Sequence, residues 1–140
     1  MTTVIGWHFV DHAEVLAMHA HAIAKWGGKT DPIPVDGCVE GSIGNAQTAA
    51  MYLTGEDEPD LLTAVAHLLR SIAKNHCFTD GNKRVAWMSA IRCLLLNDLA
   101  IMADEQEAID LVDGVVTDKF GVREITDWLA AHLVGAQELV

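Results

Sequence analysis

The chain has 140 residues, room for one domain of ordinary size, and 51% of them are hydrophobic, enough for a core. Nine Lys+Arg stand against 20 Asp+Glu, a formal net charge of -11, which excludes a general nucleic-acid binder because that needs a basic footprint. The longest apolar run, around residues 85–96, is too short for a bilayer and contains Arg92, and the N-terminus has no basic n-region, so neither a membrane span nor a signal peptide is expected.

Asp11-His12-Ala13-Glu14 is a capping box and predicts a helix running to Trp26, stopped by Gly27-Gly28. Val15, Leu16, His19, Ala22 and Ile23 recur on it at helical spacing. His12, His19 and His21 have no carboxylate or further histidine at ligand spacing, so a partly exposed amphipathic helix is expected rather than a metal site. Residues 27–44 are punctuated by seven Gly and Pro residues and read as the longest irregular region, either a docking loop or a plain connector. A second helix is predicted over 42–53, with Ile43, Ala46, Ala50, Met51 and Leu53 for the core. Pro59 suits the first turn of a third helix over 59–75, and the acids before it complement its dipole. Its inner face is Leu61, Leu62, Val65, Leu68, Leu69 and Ile72, and His67 is expected at the surface or core edge.

The run from Val85 to Leu96 is apolar nearly all round, which predicts a buried helix ending at Asn97. A second capping box, Asp104-Glu105-Gln106-Glu107, opens a helix of Ala108, Ile109, Leu111, Val112, Val115 and Val116, closed by Phe120-Gly121. A last amphipathic helix is predicted over 123–134, with Ile125, Trp128, Leu129 and Leu133. The period near 3.6, with no sustained alternation, predicts an all-α fold: one compact domain over 1–140, a bundle of about six helices. Cys38, Cys77 and Cys93 are odd in number and lack metal-ligand spacing, so they read as free thiols of a reducing cytoplasm.

Between the third and fourth helices lies His76-Cys77-Phe78-Thr79-Asp80-Gly81-Asn82-Lys83-Arg84. An imidazole is the side chain best suited to take a proton near neutral pH. Gly81 lets backbone approach a ligand, and N–H groups near residues 81–84, at a helix N-terminus, attract anions. Lys83 and Arg84 add a point charge and a bidentate fork for phosphate, and Asp80 suits Mg²⁺. Phe78 is expected to anchor the loop, with Cys77 a spacer. Residues 59–97 hold five of the nine cations and only Asp60 and Asp80 as acids, a positive island suited to a small anionic ligand. A loop whose charges merely cap a helix is the plainer alternative, but cations there oppose the dipole. The chain has neither a P-loop nor the signatures of eukaryotic-type kinases.

The nonapeptide resembles the signature of the Fic/Doc family, H-x-F-x-D/N-A/G-N-K-R in its Doc branch. The all-α layout, the length and Gly27-Gly28 extend the resemblance over most of the chain. The family implies transfer from ATP to a hydroxyl side chain: AMP in most Fic proteins, the γ-phosphate in Doc toxins, which modify a threonine of elongation factor Tu and halt translation. By that resemblance His76 is the general base, and Asp80 positions Mg²⁺ or assists the base. Gly81 and Asn82 form the anion hole, and Lys83 and Arg84 grip the phosphates of ATP. The AMP-transferring pattern, H-P-F-x-D/E-G-N-G-R-x-x-R, is not met: Lys83 replaces its second glycine and Trp87 its last arginine. The inhibitory S/T-x-x-x-E-G/N helix of many Fic proteins is approached by Asp36-Gly37-Cys38-Val39-Glu40-Gly41, with Asp36 in place of Ser/Thr. Inhibition by a separate Phd-like antitoxin in a bacterial cytoplasm is the expectation. The competing readings are an adenylyltransferase, a catalytically idle Fic-fold binding module and a phosphohydrolase using His76 and Asp80. The last lacks the adjacent His-Asp pair and the extra histidines of such sites.

Overall fold

A computed structural model describes residues 2–4, 7–29, 34–52 and 60–139. Six helices appear: α1 (His12–Trp26), α2 (Cys38–Tyr52), α3 (Leu61–Lys74), α4 (Asn82–Leu95), α5 (Glu105–Val116) and α6 (Val122–His132). The two capping boxes form as the sequence dictates. Asp11 accepts the Glu14 N–H at 2.9 Å at the head of α1, and Asp104 accepts the Glu107 N–H at 2.8 Å at the head of α5. Helix α3 is the hub, packing against α2, α4, α5 and α6. Its Val65, Leu68, Leu69 and Ile72 are buried, each stabilising the fold by roughly 1.5–3 kcal/mol. Helix α4 buries Val85, Ala86, Ser89, Ala90, Cys93 and Leu94 and turns Lys83, Arg84 and Arg92 to solvent.

Four three-residue strands were not expected. Strands β1 (Thr2–Val4) and β2 (Trp7–Phe9) pair antiparallel, with Thr3 opposite His8. Strands β3 (Leu99–Ile101) and β4 (Leu133–Gly135) pair likewise, with Ala100 opposite Val134. Three residues are too few to show alternation in sequence. Asn97 does more than end α4. Its side chain donates to the His8 and Cys93 carbonyls, both at 2.7 Å, and accepts the His8 N–H at 3.1 Å, fastening β2 to the helix.

Several boundaries move. Helix α2 begins at Cys38, four residues early, which shortens the irregular region. Gly41 and Gly44 argue against helix, each costing about 1 kcal/mol against Ala. Val39, Ile43, Ala46 and Ala50 nonetheless repeat at helical spacing and are buried, so packing overrides propensity. Met51, expected in the core, is 43% exposed, and Leu53 lies outside the described residues. Pro59 and the acids before it lie outside them too; the cap of α3 is Asp60, which accepts the Leu62 N–H at 3.0 Å. Helix α5 closes at Thr117, not Phe120, and Ile109 on it is exposed. Helix α6 yields to β4 at Leu133. His67 is half-buried as expected; burial, with Arg70 nearby, holds its imidazole below the ordinary range.

The cysteine reading is corrected. Cys38 and Cys77 form a disulfide, with Cα atoms 5.4 Å apart. Only Cys93 is free, and burial pushes its thiol up to about 12, so it is inert. No described helix is long and apolar enough to cross a membrane.

Candidate active site

The nonapeptide forms the connection from α3 to α4. Helix α3 ends at Lys74, and the backbone then turns through left-handed conformations at His76 (φ 52°) and Gly81 (φ 84°). Histidine is among the few non-glycine residues enriched there. Phe78 is buried and anchors the loop as expected. Asn82, the first residue of α4, reaches back: its amide oxygen accepts the Phe78 N–H at 3.1 Å and its Nδ2 donates to the Phe78 carbonyl at 2.8 Å. Its side chain thus closes the turn itself, a structural task that the sequence did not suggest.

Helices α1, α3 and α5 each open on an aspartate that caps them, whereas α4 opens on Gly81 with no side-chain cap. The first intrahelical bond of α4 is Val85 N–H to the Gly81 carbonyl, at 3.0 Å. The N–H groups of the turn before it are the ones a helix leaves free, and they suit an anion.

His76, Asp80, Gly81, Asn82, Lys83 and Arg84 line one cleft of about 470 Å³, together with Trp26, Gly27 and Gly28. All six site residues read from the sequence are therefore brought together. The His76 side chain is exposed, and no described residue hydrogen-bonds it. One oxygen of Asp80, Oδ2, accepts the Lys29 N–H at 2.7 Å. The other has no hydrogen-bond partner among the described residues. Lys83 is exposed and pairs with Asp113 of α5 at 3.1 Å, and Arg84 lies 4.3 Å over the Trp26 ring. Both cations thus have partners inside the protein, which the sequence did not suggest.

Other contributors went unread. His19, on the apolar stripe of a partly exposed helix as expected, is 5% exposed; it stacks on Phe78 with centroids 3.9 Å apart and lies 3.0 Å from the Asp80 carbonyl. The signal was available, since His19 shares the buried stripe of Val15 and Ala22. Gly28 sits at φ 124°, and a Cβ there would stand 3.0 Å from Ile23 Cδ1 and 3.2 Å from Asp80 Cβ, so a side chain at this position would press on Asp80. Asp113 and Trp26 carried no sequence signal, because nothing local links them to residues 83 and 84.

A protein-family model described as the Fic/DOC family matches residues 9–94, from the last residue of β2 through most of α4, and includes the whole loop. The chain belongs to the Fic/DOC family. It is 34% identical over 128 residues to "Protein kinase doc" of Escherichia phage P1, covering 89% of this chain and 94% of that protein. It is 38% identical over 81 residues to "Toxin Doc" of Mycolicibacterium smegmatis, covering 56% of this chain and 62% of that protein. Helices α5 and α6 lie beyond the segment that the family model matches, and Asp113 is on α5.

The departures from the AMP-transferring Fic pattern also take their places. Trp87 is half-buried and meets Trp128 edge-on at 5.9 Å. It lines a second, larger cleft of about 840 Å³, which shares Trp26, Lys83 and Arg84 with the first. Glu40 pairs with His12 at 3.1 Å and does not line the His76 cleft. An exposed pair of this kind contributes little to stability.

Proposed function

We propose that this chain is a Doc-like toxin that transfers the γ-phosphate of ATP to a hydroxyl side chain of a protein, a threonine of elongation factor Tu by family pattern, and so arrests translation. The observation that carries the reading is the gathering of an unencumbered imidazole, a carboxylate, an uncapped helix N-terminus and two cations around one cleft. The similarity to a protein named a kinase supports it.

His76 takes the proton of the acceptor hydroxyl as that oxygen forms a bond to the γ-phosphorus. The bond from phosphorus to the β-bridging oxygen breaks, and ADP leaves. The N–H groups of the first α4 turn, with Gly81 and Asn82, face the phosphate oxygens, and Lys83 and Arg84 balance their charge. Each cation exchanges an internal partner, Asp113 or Trp26, for phosphate. Mg²⁺ is bound through one or two carboxylates plus substrate phosphates, so the single open oxygen of Asp80 fits it. When bound it neutralises charge on the phosphates.

Lys83 and Trp87 supply the inference about which phosphate moves. Without the second glycine and last arginine of the Fic pattern, β- and γ-phosphates lack their seat beyond the base. A nucleotide presenting its γ-phosphate to His76 is the simpler fit. A Phd-like antitoxin, folding an amphipathic segment into an apolar groove, is the proposed inhibitor. The larger cleft, with Trp87, Met88, Ile109 and Val112 on its walls, supports that reading.

The test is incubation of the purified chain with bacterial lysate and ATP labelled at the γ- or the α-phosphate. Label on a protein band from the γ position alone is expected. Label from the α position would replace the kinase by an adenylyltransferase, and no transfer with ATP still bound would leave an idle binding module.

A further inference from the structure

The loop that carries His76 and Asp80 has to hold a fixed shape, and the Asn82 side chain on Phe78 is one brace within it. A second brace comes from α1. His19, in the middle of that helix, lies almost parallel to the Phe78 ring (10°, centroids 3.9 Å apart). Its Nε2 is 3.0 Å from the Asp80 carbonyl oxygen, which only accepts, so Nε2 is the protonated nitrogen and donates. A Cβ placed on Gly81 would stand 3.5 Å from His19 Cδ2. One buried imidazole therefore contacts Phe78 and the Asp80 carbonyl and lies beside the open side of Gly81.

A buried donor is not needed merely to fill this space. Phenylalanine would stack on Phe78 equally well, and leaving a part-buried carbonyl without its donor carries a cost. The combination of a flat stack and a directed N–H fixes both the depth of the loop and the rotation of the Asp80–Gly81 peptide. That peptide orients the metal-binding carboxylate on one side and the first α4 N–H groups on the other.

We propose that His19 is a positioning residue that sets the geometry of the Asp80–Gly81 peptide, and through it the alignment of His76 with the phosphate cradle. The inference rests on the phosphotransfer reading only for its kinetic consequence; its structural consequence stands apart.

Two variants separate the ring from the donor. His19→Phe keeps the stack and removes the N–H. His19→Gln loses the stack but places an amide nitrogen near the position of Nε2. His19→Phe is expected to keep cooperative thermal unfolding, to exchange the backbone amides of residues 79–84 faster than wild type, and to leave exchange in α3 unchanged. Transfer of γ-label to lysate protein is expected to fall about 100-fold, the cost of misplacing reacting groups by about 1 Å. His19→Gln is expected to restore most of the amide protection and most of the transfer. If His19→Phe does not fold, His19→Asn, whose amide is too short to reach the carbonyl, takes its place in the comparison. Folded His19→Phe or His19→Asn with wild-type exchange at residues 79–84 would overturn the proposal. So would loosening spread evenly over the chain, which would mark His19 as an ordinary core residue. Should the wild-type chain transfer no label, the phosphotransfer reading fails, while the exchange comparison still decides the role of His19.

Discussion

Replacement of His76 by asparagine is expected to lower the rate of label transfer by a factor of about 10²–10⁴, the usual cost of removing a general base, with little change in melting temperature. The stability half of this expectation comes from the backbone. His76 sits at φ 52°, and asparagine is enriched in that left-handed region as histidine is, so the turn keeps its shape. Alanine is less suited to this φ and would mix a folding effect into the kinetic one. The His76 side chain is exposed, so no core packing is lost with it. Single-turnover labelling with γ-labelled ATP, beside a thermal melt of the same preparation, checks both halves. A folded His76→Asn protein that labels its target as fast as wild type would remove His76 from the chemistry.

The other large effect is on stability. The Cys38–Cys77 bond closes a loop with a sequence separation of 39. Constraining the unfolded chain to that extent stabilises the fold by about 4 kcal/mol in the chain-entropy account, a large share of the roughly 5–15 kcal/mol of a typical domain. Thiol reductant is expected to lower the melting temperature by about 10 °C or more. Cys38→Ser is expected to melt at the lower temperature with or without reductant. Thiol counting in denaturant, without reductant, should find Cys93 alone. Three thiols in that count, or a melt indifferent to reductant, would show the pair unjoined. The site is expected to suffer less than the fold. The Val35 N–H to the Cys77 carbonyl and Asn75 Nδ2 to Ser42 Oγ, both 3.0 Å, brace the same segment without the disulfide.

The features readable in the sequence are those written in contiguous residues. Both capping boxes and the limits of α1 and α4 follow from local rules, as does the cluster at residues 76–84. Features written across the chain were not readable. The Cys38–Cys77 pair looked like two members of an odd set, because spacing along the chain says nothing of which helix start faces which loop. The Lys83–Asp113 pair spans 30 residues, and its acid comes from a helix outside the family-matched segment. The start of α2 was missed because two glycines outweighed an apolar stripe whose strength depends on what it packs against. His19 is the instructive intermediate. Its position on the buried face of α1 was visible, but a histidine there announces burial without naming the group it bonds.

The stacking of Arg84 on Trp26 gives the cleft an optical readout of its own. Indole emission responds to a neighbouring cation and to water, and Trp26 is 45% exposed with the guanidinium 4.3 Å from its ring centre. Trp7, Trp87 and Trp128 are more enclosed and do not line the His76 cleft, though Trp87 lines the larger cleft beside it, so Trp26→Phe is the reference for their combined signal. A phosphate that draws Arg84 toward the α4 N-terminus lifts it from the ring and changes the emission of that one tryptophan. Titration with Mg-ATP is then expected to move the spectrum of the wild-type chain and leave Trp26→Phe unmoved. A flat signal alongside calorimetric binding would mean that the arginine stays on the ring. The residue that parks the cation also reports when the cation departs, without any label added to the protein.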